Sequence, residues 1–192
     1  MRDRIKEILM ESIQIKEQIL HSHIGKIIEL SECIIECLKK NGKVILFGNG
    51  GSASDSQHIA AEFIGRFKKD RTALAAIALT TNTSVLTSLA NDYGYDIIFA
   101  KQVEGLAQKN DIVIGISTSG KAKNVILGIK QAKKMGLKTI ALTGSDGGEL
   151  AKTADISLIV PSSITARIQE VHIIIGHIIC EIVEQTLCQE QR

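Results

Sequence analysis

Five short apolar segments alternate with helical stretches along most of this chain, and this alternation limits the fold more than any other feature. The segments are rich in Ile, Val, Leu and Ala, without sustained alternation of apolar and polar residues. Such runs are typical of strands buried on both faces of a parallel sheet. We therefore expect an α/β fold, an open, doubly wound, parallel five-stranded sheet with helices on both faces. The predicted strands are 43–47, 75–79, 111–116, 138–142 and 156–160.

Helical periodicity predicts the elements around these strands. Two amphipathic segments, 3–20 and 24–39, predict an N-terminal helical hairpin. The last helix, predicted over 166–188, is apolar nearly all round its axis. Such a helix must be buried on several sides, which a single domain of this size rarely provides, so we expect a helix-rich homo-oligomer interface. The crossover helices are predicted at 53–67, 83–91, 96–108, 121–135 and 147–152.

The bulk properties exclude several classes of protein. The 192 residues suffice for one α/β domain with a full core, and a net charge of +2 without a dense basic block lacks the footprint of a nucleic-acid binder. We expect no apolar stretch of membrane-spanning length and no signal peptide, and hence a cytoplasmic protein with no membrane partner. The four cysteines should be reduced. Cys33 and Cys37 could bind a metal, but no second Cys/His pair at zinc-finger spacing supports this.

The loop after the first predicted strand is a candidate ligand site. Gly48, Gly50 and Gly51 make a turn without Cβ atoms, and Ser52 is a candidate N-cap for the next helix. A strand, a glycine turn and a helix N-terminus together form a site for anions, because free backbone N–H groups point outward there. The loop also fits a loose dinucleotide fingerprint. However, the second strand ends without the acidic residue that a nicotinamide site needs.

The loop after the third predicted strand is a second candidate cradle. It reads Ser117-Thr118-Ser119-Gly120, and a predicted helix follows it. Three hydroxyls beside the first N–H groups of a helix form a cage for one phosphate group, although ordinary capping would explain one of the hydroxyls. A third polar loop, 80–84, leads toward Asn91-Asp92 and is either a sugar-hydroxyl site or a capped connection.

His58 and Glu62 are the candidate chemical groups beside the first cradle. They lie four residues apart on the predicted helix, so they share a face and can hold a metal or a substrate together. Taken alone, such a pair is more often a plain surface pair. The neighbouring glycine turn favours the functional interpretation.

Four separated motifs, in this order, resemble the sugar isomerase (SIS) domain family, and within it the heptose-phosphate isomerases. The motifs occupy 48–62, 117–120, 142–148 and 167–177, and the resemblance runs over nearly the whole chain. It implies a SIS-type fold and a single SIS domain over 1–192. Within that domain it implies N-terminal oligomerisation helices, 1–40, and a sugar-phosphate-binding core, 41–192.

The resemblance also implies an activity. It predicts an aldose–ketose isomerase that converts sedoheptulose 7-phosphate to D-glycero-D-manno-heptose 7-phosphate through an enediol, for bacterial lipopolysaccharide or capsule. It implies a homotetramer with active sites between subunits and one zinc ion per subunit. The implied metal ligands are His58, Glu62, Gln169 and His177. Glu62 is the implied base and His177 the implied acid.

The remaining implied contacts are with the substrate. They are Asn49, Gly50, Gly51, Glu62, Asn91, Asp92, Ser117, Thr118, Ser119 and Gln169. The family often has a further serine where this chain has Ala122, which removes one hydroxyl from the phosphate cage.

Several alternatives stay open at this point. Gln169 and His177 lie eight residues apart, a rise of about 12 Å in an ideal helix, so they either stretch toward one ion or serve different copies of the site. His172 is the second choice for the place of His177. A non-catalytic SIS-domain regulator, such as a relative that binds the replication initiator, is the alternative function. A sugar phosphate–amine isomerase would need a glutaminase half that this chain lacks.

Overall fold

A computed structural model describes residues 1–189, so the last three residues of the predicted domain, 190–192, lie outside the described part. The helices are α1 (Arg2–Ser22), α2 (Ile24–Lys39), α3 (Gly51–Ile64), α4 (Thr83–Tyr93), α5 (Ile98–Leu106), α6 (Lys123–Lys134), α7 (Gly148–Thr153) and α8 (Thr165–Gln189). The strands are β1 (Val44–Gly48), β2 (Ala76–Ala78), β3 (Ile112–Ser117), β4 (Lys138–Gly144) and β5 (Ile156–Val160), and a short 3₁₀ turn spans Tyr95–Ile97.

The five strands form one parallel sheet in the order β2-β1-β3-β4-β5, which confirms the predicted open α/β fold. The chain passes from β1 to β2 on one side and then to β3 on the other, so the strand order reverses between β1 and β3. Ligands of open α/β sheets bind beyond the carboxyl ends of the strands at such a switch point. The two predicted cradles follow β1 and β3 and are neighbours, because Gly48 pairs with Ile116.

Apolar cores cover both faces of the sheet. Every residue of β1 and β3 is buried, which explains their apolar composition. The core on one face includes buried residues of α1, α2, α3 and α8. The core on the other face is built from α5, α6 and α7, where Phe47 stacks on Phe99 with ring centroids 4.9 Å apart. Helices on both faces are what the doubly wound prediction required.

Helix α8 is a core helix of the domain. It packs against α1, α2 and α3 and buries Ile168, Val171, Ile175 and Val183. By length and composition alone, the segment Thr165–Cys188 is apolar enough to cross a membrane, so the expectation that no stretch reaches this length was wrong. In this fold the apolar side chains of α8 pack in the core between the sheet and the neighbouring helices.

The start and the end of α3 differ from the prediction. The helix begins at Gly51 and its N-cap is Gly50, whose φ of 55° favours glycine, so the assignment of Ser52 as N-cap was wrong. Ser52 lies buried in the first turn. The helix also ends at Ile64 rather than at residue 67, because the backbone N–H groups of the next residues donate to a side chain of α8.

That side chain is Glu184, which forms a buried ion pair with Arg71. The Arg71 Nε donates to Glu184 Oε1 at 3.0 Å, and its Nη1 and Nη2 donate to the carbonyl oxygens of Phe63 and Glu62 at 2.8 and 2.9 Å. Glu184 also accepts the backbone N–H groups of 67–69. The Arg71 and Glu184 side chains are only 4% and 1% exposed, so this pair joins the end of α3 to α8 inside the protein.

The charge of Glu184 depends on these donors. Burial alone would raise its pKa, but the N–H groups of Lys68, Phe67 and Lys69 and the Arg71 guanidinium outweigh burial and hold the pKa below its ordinary value. The resulting stabilisation is fully present above the pKa of the carboxyl in the unfolded chain. It is lost as the pH falls through the lowered pKa of the folded state.

Replacing Arg71 by Met should lower the free energy of unfolding by about 3–5 kcal/mol, because the Glu184 carboxylate would stay buried without its cation. Urea denaturation at one fixed protein concentration measures the change. Lys68→Met is the matched control: it removes the more exposed pair between Lys68 and Glu181, at 2.7 Å, and should cost less than about 1 kcal/mol. Equal losses in the two variants would contradict the importance of the buried pair.

Candidate active site

The two predicted cradles share one cavity at the switch point of the sheet. The cavity measures about 340 Å³. It is lined by Asn49, Gly50, Gly51, Ser52, Ile116, Ser117, Thr118, Ser119, Ala122, Thr165 and Gln169. The set brings together the loop after β1, the loop after β3 and the start of α8. Seven of the ten substrate contacts predicted from the sequence are therefore neighbours around one space, in which glycine, hydroxyl and amide groups predominate.

The three hydroxyls of the loop after β3 have different surroundings. The Ser119 Oγ accepts the backbone N–H of Lys121 at 3.2 Å, so this hydroxyl has the ordinary capping role. Within residues 1–189, the hydroxyls of Ser117 and Thr118 form no hydrogen bond with another side chain or backbone group, so both are available to a ligand. Ala122 lines the cavity and is the N-cap of α6 without a hydroxyl, as expected where the family often has a serine.

His58, Glu62 and His177 form a cluster on the facing sides of α3 and α8. The His58 Nε2 lies 2.9 Å from the His177 Nε2 and 3.2 Å from the Glu62 Oε1. One ligand atom from each residue lies within 4.8 Å of the other two. His58 is about half exposed and Glu62 is about a quarter exposed, so the cluster is open to solvent on one side.

The close approach of α3 and α8 produces this cluster. A Cβ built on Gly176 would lie 2.6 Å from the Ile59 Cδ1, which is closer than real Cβ contacts allow. Gly176 precedes His177, and Ile59 follows His58. A larger residue at 176 would force either the Ile59 side chain or the helices to shift, so this glycine favours the close approach at which the two imidazoles meet.

The donor set fits a divalent metal ion. Two ligands about 2.1 Å from a zinc ion at a tetrahedral angle are about 3.4 Å apart, close to the two separations around the His58 Nε2. Two imidazole nitrogens and a carboxylate oxygen are ligands that zinc accepts, and other divalent ions accept them as well. A cation would also remove the need for one imidazole to donate a proton to the other.

Gln169, the fourth predicted ligand, lines the cavity. Its Nε2 lies against the side of Gly51 that has no side chain. Gln169 and His177 are both on α8 and eight residues apart, a rise of about 12 Å. The structure therefore brings three of the four predicted ligands together within one chain, and the role of Gln169 as a ligand stays a prediction.

His172 is not an alternative to His177. It is fully buried in the core, and its Nε2 donates to the carbonyl oxygen of Thr143 at 3.0 Å. Burial lowers its pKa to about 4, and the bond to Thr143 only partly offsets this, so the ring is neutral at ordinary pH. It does not belong to the cluster formed by His58, Glu62 and His177. The second-choice ligand assignment was therefore wrong, because its side of α8 faces the sheet.

The third polar loop, 80–84, contains a helix cap. The Asn82 Oδ1 accepts the backbone N–H of Val85 and so caps α4. Asn91 and Asp92 lie near the end of α4, where both are exposed and the Asn91 Nδ2 donates to the Asp92 Oδ1 at 2.9 Å. Neither lines the cavity of this chain. Their predicted contact with substrate stays a prediction.

Three residues of the site were missed by sequence reasoning. Asp55 lies one turn before His58, and burial raises its pKa to about 6 although His58 lowers it in part. Asn124 and Tyr95 form hydrogen bonds with Asn49 at the wall of the cavity. No local pattern marks Asn124 or Tyr95, because each meets Asn49 only through the fold.

An open parallel sheet with a hydroxyl-lined cavity at its switch point, and a His/Glu cluster on the adjoining helices, defines a small-molecule-binding α/β domain. Residues 9–144 match the SIS domain family, and the whole chain is similar to proteins named phosphoheptose isomerase. The chain therefore belongs to the SIS domain family and, within it, to the phosphoheptose isomerases, as its motifs predicted.

The similarity covers almost the full length of each relative. The chain is 51% identical to the phosphoheptose isomerase of Aquifex aeolicus, over 98% of this chain and 99% of that protein. It is 52% identical to the one from Sulfurimonas denitrificans, over 97% of each chain. The solved structure of phosphoheptose isomerase from Neisseria gonorrhoeae superposes with a TM-score of 0.91 at 42% identity, covering 96% of this chain and 98% of that one.

Proposed function

We propose that this protein converts sedoheptulose 7-phosphate to D-glycero-D-manno-heptose 7-phosphate through an enediol. The observation that carries the proposal is the cluster of His58, Glu62 and His177, because it offers a base, an acid and metal ligands on the helices that also line the cavity. Relatives about half identical over the full chain bear the name phosphoheptose isomerase, which supports the same reaction. The product would supply heptose for lipopolysaccharide or capsule, and a cytoplasmic location stays a prediction.

The cavity at the switch point would bind the phosphate end of the substrate. Ser117 and Thr118 offer hydroxyl donors, and the loop after β1 offers backbone N–H groups at the start of α3. An anion is favoured there by the free N–H groups and the positive end of the helix dipole. Binding of the phosphate there would restrict the positions that the sugar can adopt. This restriction would help to align the reacting carbons.

His58, Glu62 and His177 would hold one zinc ion per subunit, with Gln169 as a fourth ligand from the same chain or from a neighbouring copy. When bound there, a zinc ion would supply Lewis-acid polarisation of the sugar carbonyl. The cluster offers the nitrogen and oxygen donors that such a site requires, at separations close to those of shared ligands.

Glu62 would be the base and His177 the acid of the isomerisation. The Glu62 Oε1 faces His58, whereas its second carboxylate oxygen is free to accept the proton from C1 of the ketose. Across the cluster, His177 would protonate the other side of the enediol. Since a carboxylate loses basicity when it binds a metal, this double role of Glu62 would require the substrate to displace or loosen one bond to the ion.

A non-catalytic SIS-domain regulator is the alternative. Such a protein would keep the fold but would have no need for a base beside a pair of imidazoles. The retention of Glu62 between His58 and His177 favours the enzyme.

Replacing Glu62 by Gln should lower kcat by about 10²–10⁴-fold, because the amide cannot accept the C1 proton. Turnover of sedoheptulose 7-phosphate by zinc-loaded protein measures this, and calorimetry should find substrate affinity within a few fold of wild type. Glu104→Gln, an exposed substitution on α5, is the control and should leave both values unchanged. Near-normal turnover in Glu62→Gln would exclude Glu62 as the base, and no turnover by the wild-type protein would contradict the proposed reaction.

Metal analysis tests the ligand set independently of turnover. Dialysed wild-type protein should retain about one zinc per chain, while His58→Ala and His177→Ala should retain much less, because each removes a donor. His21→Ala removes an exposed histidine outside the cluster and should leave the zinc content unchanged. Chelation should abolish turnover, and added zinc should restore it. Equal zinc retention by all four proteins would contradict the site.

Exposed apolar side chains support the proposed homotetramer. Ile5, Leu9, Ile13 and Leu20 lie on one face of α1, and each is at least 45% exposed. Ile64, two residues after Glu62, and Ile178, beside His177, are also exposed. Monomers rarely leave so many apolar side chains in contact with water, so a second copy is expected to cover the hairpin and the open side of the cluster.

Leu9→Arg should convert the tetramer to smaller species, because the charge would enter the proposed interface without a partner. Light scattering after size-exclusion chromatography measures the mass. Gln14→Arg adds the same charge to an exposed position on the opposite side of α1 and should leave the assembly intact. A wild-type monomer, or an unchanged mass for Leu9→Arg, would contradict this assembly.

A further inference from the structure

Asn49 belongs to a hydrogen-bond network at the wall of the cavity. Its Nδ2 donates to the Asn124 Oδ1 at 2.8 Å, and the Asn124 Nδ2 donates back to the Asn49 Oδ1 at 2.9 Å. The Tyr95 hydroxyl donates to the same Asn49 Oδ1 at 3.0 Å. Asn124 is only 3% exposed, whereas Asn49 is half-buried and reaches the cavity.

A backbone group fixes the orientation of both amides. The N–H of Val125 donates to the Asn124 Oδ1 at 2.9 Å. Because a backbone N–H can only donate, the oxygen of Asn124 must lie on that side and its Nδ2 must face Asn49. The Asn124 Nδ2 therefore donates to the amide oxygen of Asn49.

The network leaves Asn49 with one free polar function. Its Oδ1 has two lone pairs and accepts two donors, from Asn124 and Tyr95. Its Nδ2 has two hydrogens, of which Asn124 accepts one. Among residues 1–189, the remaining Nδ2 hydrogen is the one hydrogen-bonding group of the Asn49 side chain left without a partner, so this side chain would bind a ligand oxygen that accepts a hydrogen bond.

The two supports of Asn49 are unequal. Asn124 is buried and exchanges two hydrogen bonds with Asn49, so its removal would leave buried groups unpaired. Tyr95 is 58% exposed and provides a single bond, for which water can substitute. The neighbouring ion pair between Asp96 and Lys123, at 2.5 Å, is also exposed and contributes little.

We infer that Asn124 is a positioning residue that orients the Asn49 amide as a hydrogen-bond donor to a phosphate or sugar oxygen in the cavity, with Tyr95 in a secondary role. This inference rests on the proposed function for the identity of the ligand. Asn124 itself does not line the cavity and acts through Asn49.

A double-mutant cycle tests this assignment. Asn49→Ala should weaken binding of sedoheptulose 7-phosphate by about tenfold or more, since it removes a hydrogen bond to a charged or polar oxygen. Asn124→Leu, similar in size but without the amide, should weaken binding several-fold and leave kcat almost unchanged. The double variant should bind no more weakly than Asn49→Ala alone, because Asn124 acts only through Asn49. Tyr95→Phe should change binding by less than about threefold.

Calorimetric dissociation constants and KM values provide the readout, and urea denaturation checks that each variant folds. Lys130→Ala, an exposed substitution on the same helix α6, is the control and should bind normally. Asn124→Ala replaces Asn124→Leu if the larger side chain prevents folding. Additive losses in the double variant, or normal binding by Asn124→Leu, would overturn the inference.

This outcome is separate from that of the proposed function. A wild-type protein that binds sedoheptulose 7-phosphate without turnover would contradict the isomerase proposal, while the cycle of dissociation constants would still decide the role of Asn124. If the wild-type protein does not bind this sugar, the same cycle is run with inorganic phosphate. In that case the inference is supported if Asn49→Ala and Asn124→Leu each weaken phosphate binding and the double variant binds no more weakly than Asn49→Ala. Unchanged phosphate binding in both single variants overturns it.

Discussion

The close packing of α3 against α8 is the constraint on which the candidate active site depends. His58 and Glu62 come from one helix and His177 from the other, so no property of either helix alone brings them together. Gly176 allows the contact, because its missing side chain leaves room for Ile59. The buried ion pair between Arg71 and Glu184 joins the end of α3 to α8. The packing that sets this geometry lies inside the domain, although the cluster itself is open to solvent on one side.

The electrostatics of this contact are compatible with a bound cation. Two imidazole Nε2 atoms at 2.9 Å must either share a proton or face a common ion, since two lone pairs at that distance repel each other. The carboxylates of Glu62 and Asp55 lie nearby on α3, and the pKa of Asp55 is raised to about 6 mainly by burial. A divalent ion would relieve the repulsion between the imidazoles and would lower the pKa of a neighbouring carboxyl.

Local patterns in the sequence predicted most of the fold and the loops that line the cavity, but not the contacts between distant segments. The strands could be predicted because apolar residues such as those of 112–116 are buried on both sides, and His58 with Glu62 because a helix places residues four apart on one face. His177 followed only from the resemblance, since its contact with His58 spans 119 residues. Asn124 and Arg71 were missed for the same reason. The N-cap at Gly50 was missed because a backbone angle decided it.

Helix α8 contributes both to the cavity at the switch point and to the cluster of His58, Glu62 and His177. Gln169 lines the cavity at the switch point, and His177 meets the cluster two turns later, so the axis of α8 runs for about 12 Å between them. Binding the phosphate among hydroxyl and N–H donors at one end would leave the carbonyl end beside the imidazoles and Glu62. A rigid core helix that contributes to both places would hold them in a fixed relation to each other.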